Sequence, residues 1–221
     1  MKLYGFWRSL ATYRVRVAMA LKGVHAEEIS IDLLKGKQHT DEYKAVNPQG
    51  VVPALVLDEG GPPLFQSLAI LEYLDEKYPT PPLLPADALS RARVRALALI
   101  VACEGHPPLT PRVRRYLDHE LNLRDTQQSA WRRHWTVETL AALEGHLSGH
   151  KDTSKFCHGD QPTLADICLV SHVTTAVTQQ INLSTWPVVK RIFETAMALP
   201  EFAKAHPLAQ PDTPEAMRPK A

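Results

Sequence analysis

The sequence predicts a mixed α/β domain followed by an all-helical domain. Three observations carry this. Short apolar runs and helical periodicities alternate in the order β-α-β-α-β-β-α up to Tyr78. A proline-dense stretch, "PTPPLLPADA" (79–88), then interrupts the pattern, because proline there excludes a continuing helix. From Leu89 onward nearly every segment reads helical. The expected domains are 1–80 and 88–221.

The elements follow in order. "KLYGFW" is an apolar and aromatic run suited to a buried strand. Leu10, Tyr13, Val17, Ala20, Leu21 and Val24 then recur at helical spacing, with Gly23 near the helix end. "AEEISIDLL" is a strand. "GKQHTDEYKAVNPQG" is a loop, a brief helix and a turn. "VVPALVLD", "EGGPP" and "LFQ" form a hairpin, and "SLAILEYLDEKY" is an amphipathic helix with Ser67 as its cap. A parallel β-α-β unit followed by a hairpin makes a mixed four-stranded sheet. Helices in the second domain are "SRARVRALALIVACEG", "SAWRRHWTVETLAALEGHL", "TLADICLVSHVTTAV" and "WPVVKRIFETAMAL". The tail, "AQPDTPEAMRPKA", is polar and proline-rich, so it is an extended wrap or disordered.

Composition narrows the function classes. Lys and Arg (25) nearly balance Asp and Glu (24), which argues against a nucleic-acid footprint over the whole chain. The basic runs "RARVR" and "RVRR" lack interleaved aromatics, as expected of charged helical faces. No apolar run approaches the ~20 residues of a membrane span. Cys103, Cys157 and Cys168 are scattered and odd in number, which fits a reduced compartment and a cytoplasmic protein. His146 and His150 stand four apart, but no third ligand is evident, so no metal site is expected.

Four constellations bear on chemistry. Ser9 to Thr12 sit where the first strand turns into the first helix, between Arg8 and the pair Arg14 and Arg16. Helix starts leave N–H groups unpaired, and a hydroxyl there caps the helix or donates to an anion. Lowering a thiol pKa from ~8.5 to near 6.5 takes about 2.7 kcal/mol, the order that one charge-assisted hydrogen bond and a helix end supply. With no cysteine in the stretch, such a thiolate has to arrive with a ligand. Val52-Pro53 opens a strand: an ordinary trans proline at an edge is one reading. A cis proline that turns the Val52 backbone outward, to pair with a peptide-like ligand, is the other. Gln66-Ser67 opens a helix whose N-terminus and hydroxyl suit a carboxylate. Thr163 and Asp166 have the T-x-x-D form of a capping box and read as structural.

Together, "LYGFWRS…YRVRVAMALKG", "NPQGVVPAL", "QSLAILEYLDEKYPTPPLLP", "GDQPTLADICLV" and "HPLAQPDTP" resemble the soluble glutathione transferase family, most closely its zeta class. The resemblance covers nearly the whole chain. It implies a thioredoxin-like first domain that binds glutathione, an all-α second domain that holds the electrophilic substrate, and a homodimer. It implies that Ser9 activates the glutathione thiol, that Val52 before a cis Pro53 pairs with the glutathione backbone, and that Gln66 and Ser67 hold the γ-glutamyl group. Gln38 and His106 are further implied glutathione contacts. The implied activity is cis–trans isomerisation of a maleyl-type dienoic acid, maleylacetoacetate or maleylpyruvate, by thiolate addition, bond rotation and elimination. Cations are needed for the enolate and the carboxylates, and Arg8, Arg14 and Arg112 are the candidates, with Arg14 equally an ion-pair member. The zeta pattern after the arginine is Ser-Ser-Cys, whereas this chain has Ser9-Leu10-Ala11, so Thr12 becomes a secondary donor whose side chain is otherwise spent capping the helix. Transfer of glutathione to halogenated acids, or a glutathione-binding interaction protein, are the alternatives.

Overall fold

The computed structural model describes residues 1–218, and residues 219–221 of the expected tail lie outside the described residues. The chain divides into two compact units. One is Met1–Leu83 with the described residues from Ala198 onward, and the other is Leu84–Met197. The break falls inside the predicted linker. The expected second domain, 88–221, is corrected at its far end, because the segment after Met197 groups with the first unit.

The first unit holds strands β1 (Lys2–Gly5), β2 (Glu27–Ser30), β3 (Ala54–Val56) and β4 (Leu64–Phe65), and helices α1 (Leu10–Leu21), α2 (Asp41–Val46) and α3 (Ser67–Lys77). The sheet order is β2-β1-β3-β4, with β1 and β2 parallel and the other pairs antiparallel. This is the mixed sheet that a β-α-β unit and a hairpin require. In α1 every residue from Thr12 to Met19 is buried. Arg14 and Arg16 are tolerated there because each has a partner: Arg14 Nη1 donates to Ser67 Oγ (3.3 Å), and Arg16 meets Glu28 at 2.7 Å. At the far end of α1, Lys22 Nζ contacts Asp75 of α3 at 2.6 Å and donates to the Pro81 carbonyl, while Asp75 also accepts from the Leu83 N–H (2.7 Å). Gly23 follows α1 at φ 64°, a left-handed turn that suits glycine.

The C-terminal segment wraps this unit. Asp212 accepts from the Trp7 N–H (3.0 Å) and the Ser30 hydroxyl (2.5 Å), and Tyr13 donates to the Phe202 carbonyl (3.1 Å). Of the two readings of the tail, the wrap holds for its described part.

The second unit contains α4 (Ala88–Leu99), α5 (Pro111–His119), α6 (Asp125–Leu147), α7 (Leu164–Thr178) and α8 (Pro187–Met197); α9 (Pro200–Ala205) belongs to the first unit. Helix α7 is buried from Leu164 to Thr174 and packs on α4, α6 and α8. That explains its largely apolar sequence, since a helix surrounded on all sides needs no charged face, and buried polar residues such as Thr174 turn their hydroxyl to a backbone carbonyl (2.8 Å to Val170). The box at its start forms: the Asp166 carboxylate accepts from the Thr163 N–H (2.8 Å), the Thr163 hydroxyl (2.8 Å) and the Cys157 N–H (2.7 Å). Burial, then Asp166, push the Cys157 thiol pKa up, so it is inert core, as Cys168 is by position. After α4 the backbone continues as a wider, π-type turn over Ile100–Gly105. Gly105 is required there, because a Cβ would lie 2.5 Å from Thr139 Oγ1.

Among the described residues no helix is long and apolar enough to cross a membrane, and no group of three His, Cys, Asp or Glu is placed to hold a metal. His146 and His150 are both exposed.

Candidate active site

The site is built where β1, β3 and the loops before α1, β3 and α3 meet in the first unit. Ser9 follows β1 and caps α1: its Oγ accepts from the Thr12 N–H at 3.2 Å. Its own N–H is used by the Phe6 carbonyl, and its carbonyl takes the Tyr13 N–H. A hydroxyl has one donor and two acceptor positions, so capping leaves the Ser9 O–H available. Ser9 is half-buried.

Thr12 is corrected. It does not cap; Ser9 does. Thr12 is fully buried under β1, where a Cβ on Gly5 would lie 2.4 Å from Thr12 Cγ2, and its Oγ1 has no hydrogen-bond partner. Its place is packing, set by the close approach of α1 to a glycine in β1. The neighbouring Tyr13 also turns inward: its O–H donates to the Phe202 carbonyl, and burial raises its pKa.

The Val52–Pro53 bond is cis, as is Thr80–Pro81. The β3 ladder begins at Ala54, so the N–H and C=O of Val52 lie outside it. What holds this turn was not read from the sequence. The Val51 carbonyl accepts from the Tyr43 hydroxyl and from Asn47 Nδ2, each at 2.7 Å. Burial pushes the Tyr43 pKa up to about 12, which keeps that donor protonated. Asn47 Oδ1 in turn accepts from the Gln49 N–H (3.1 Å), which closes the "NPQG" turn, and Gly50 sits at φ 64°. The Asn-Pro-Gln-Gly motif was the available signal.

Gln66, and not Ser67, is the residue before α3 and occupies its cap position, at φ 67° and ψ 117° with no capping bond. A non-glycine residue held there costs on the order of 1–3 kcal/mol and persists only where its surroundings enforce it. Gln66 Nε2 donates to Gln49 Oε1 (3.0 Å), which ties this corner to the Val52 turn. Ser67 opens α3 and is buried. Its Oγ accepts from Arg14, which leaves its O–H as a donor at the start of the helix. Arg14 is therefore also corrected as a substrate-facing cation: it is 2% exposed and reaches Ser67. Gln38 is half-buried, with Nε2 3.1 Å from His39 Nε2 and a buried Oε1 that has no partner.

Arg8, next to Ser9, is exposed. His106 and Arg112 belong to the helical unit. His106 closes the wide turn after α4 and is half-buried, and Arg112 is exposed on the first turn of α5.

Comparison with known proteins places the chain. Residues 1–76 match the model of the glutathione S-transferase N-terminal domain and residues 134–200 that of its C-terminal domain. A solved holo maleyl pyruvate isomerase, described as a bacterial zeta-class glutathione S-transferase, superposes with a TM-score of 0.93 at 42% identity, covering 97% of this chain and 100% of its own. The chain belongs to the glutathione S-transferase family, in its zeta class. Maleylacetoacetate isomerase of Pseudomonas aeruginosa is 43% identical over 98% of this chain and 100% of its own length. A maleylacetoacetate isomerase of Methylobacterium extorquens AM1, solved with bound malonate and glutathione, is 46% identical with a TM-score of 0.94, covering 97% of this chain and 100% of that one. In this glutathione S-transferase the first strand, the Val-Pro turn and the Gln-Ser corner are thus the expected thioredoxin-like frame.

Proposed function

We propose that this glutathione S-transferase is a glutathione-dependent cis–trans isomerase of a maleyl-type dienoic acid, maleylacetoacetate or maleylpyruvate. The observation that carries the reading is full-length similarity to isomerases of both substrates. It outweighs the halogenated-acid and binding-only alternatives.

The residues present fit glutathione. A peptide-like ligand needs a backbone donor and acceptor, and Val52 has both outside the sheet ladder. A γ-glutamyl carboxylate needs donors, and the Ser67 hydroxyl and the start of α3 supply them. The partnerless Gln38 Oε1 suits a ligand N–H. Bound glutathione supplies a nucleophilic thiolate whose reversible addition to the conjugated double bond permits rotation, and the nucleophile is regenerated.

The chain's own groups do the rest. Ser9 donates its O–H to the sulfur and holds it ionised, while the N–H groups of Leu10 and Ala11, which have no carbonyl within the helix, add the positive end of α1. Arg14 acts through Ser67 by fixing its oxygen, and is a positioning residue. Arg8 and Arg112 stay the candidate cations for the substrate carboxylates, and His106 a candidate glutathione contact, on the family resemblance. The division of labour expected from sequence, glutathione on the first domain and substrate on the second, belongs to this reading. So do a homodimer and a cytoplasmic location, the latter in keeping with three free cysteines.

Turnover of maleylacetoacetate and of maleylpyruvate, each with and without glutathione, tests the reading. Glutathione-dependent formation of the trans isomer of at least one is expected. Turnover of neither, alongside rapid conjugation of a halogenated acid, would overturn it.

A further inference from the structure

Helices α5 and α6 are joined by the short segment 120–124 and pack on each other, a helical hairpin. Next to the connection, Gln128 Nε2 donates to Asp118 Oδ1 (3.3 Å). One helical turn away from the connection, Asp118 leads to Arg114 and Gln128 leads to Arg132. Two guanidinium groups therefore oppose each other where the first pair is a hydrogen bond. Arg132 has its pKa lowered by burial and, next, by Arg114; Asp125 opposes this.

Neither arginine is fully exposed, and the Nε of each is shielded from solvent without an acceptor. Trp135, three residues beyond Arg132, has its Nε1 in the same condition. Neighbouring groups are satisfied: Trp131 Nε1 donates to the Pro108 carbonyl (2.9 Å), and Arg132 Nη2 donates to Ser129 Oγ (3.0 Å). Among the described residues neither Arg114 nor Arg132 is in an ion pair.

Buried N–H groups are almost always paired, and like charges out of water repel. Three such donors without an acceptor, two of them cationic, share one requirement: an anion with several acceptor oxygens. Arginine's rigid fork suits carboxylate and phosphate oxygens. We propose that Arg114 and Arg132, with Trp135 beside them, form a binding site for a small multivalent anion of the carboxylate or phosphate class. It is separate from the role given to Arg112. Two residues on one helix stand about 200° apart, so Arg112 and Arg114 face different ways.

The test uses the full-length protein saturated with glutathione, at constant ionic strength set with sodium chloride. Inorganic phosphate is titrated in one arm and malonate in the other, following the thermal midpoint and the arginine Nε–H NMR signals. A saturable rise in midpoint is expected with at least one anion, with shifts of the Arg114 and Arg132 signals. Tighter binding of phosphate identifies a phosphoryl ligand, and tighter binding of malonate a carboxylate. Arg114→Leu and Arg132→Leu should each weaken the anion about tenfold or more, the loss expected for a hydrogen bond to a charged group. Each should also raise the midpoint without anion, because the like-charge contact is gone; a merely structural role would lower it. Arg114→Gln and Arg132→Gln keep the stem and serve where a leucine variant misfolds. Absence of saturable binding by either anion, or an equal loss in Arg112→Leu, would overturn the proposal.

Discussion

Replacing Thr12 by Val separates the two hydroxyls in the first turn of α1. Thr12 Oγ1 is buried with no partner. An unsatisfied hydroxyl out of water costs about 1–3 kcal/mol, and a methyl in its place carries no such cost. The methyl is slightly larger, and crowding against Gly5 returns part of the gain. Thr12→Val should therefore stabilise the protein by about 1 kcal/mol, or roughly 2–4 °C in a chain of this size. It should leave the thiol pKa of bound glutathione where it is. Ser9→Ala should do the reverse. It removes the acceptor of the Thr12 N–H, costing about 1 kcal/mol of stability. It also removes the donor to sulfur, raising the thiol pKa by about one unit or more. Ser9→Asp keeps a capping oxygen but has no proton to give, so it should recover stability and not the pKa. Urea unfolding followed by tryptophan fluorescence gives the first quantity, and titration of thiolate absorbance in the glutathione complex gives the second. A Thr12→Val protein that is destabilised, or whose bound thiol moves by a unit, refutes the assignment of Thr12 to packing.

Three further outcomes are expected. Ser67→Ala should weaken glutathione about tenfold or more by calorimetry, the loss of a hydrogen bond to a charged group, and unchanged affinity would remove Ser67 from the site. Asp75→Ala leaves Lys22 buried and uncompensated and should cost about 3–5 kcal/mol in urea unfolding, with a loss under about 1 kcal/mol counting against a buried pair. Burial holds the His206 imidazole below its ordinary pKa of 6.5, and its Nδ1 accepts from the Leu208 N–H (3.2 Å). The folded state then binds fewer protons than the unfolded, so this contribution is complete above about pH 6.5 and is lost as pH falls through the folded value. The urea midpoint should drop on acidification through that window, and His206→Asn should lessen the drop; an unaltered drop would assign it to other groups.

What the sequence determined by itself is what depends on neighbours along the chain. Period-two and period-3.6 patterns mark the strands and helices, because each pattern places an apolar face on one side of a local structure. The proline cluster after Tyr78 marks the break between units, since proline cannot continue a helix. The T-x-x-D box at Thr163 is legible because both partners lie within one turn. Motifs also brought Ser9, Val52, Gln66 and Ser67 to notice. Tertiary structure decided how those residues are used. Which of Ser9 and Thr12 faces outward depends on how closely α1 approaches Gly5, a contact between segments. Arg14 is turned from substrate to Ser67, 53 positions away, and Tyr43 and Asn47 hold Val51 through bonds that no periodicity announces. The tail joins the first unit because one carboxylate, Asp212, reaches a backbone N–H 205 residues earlier. Propensity and spacing are short-range properties, whereas burial and hydrogen-bond partnership are set by whichever distant segment the fold brings alongside.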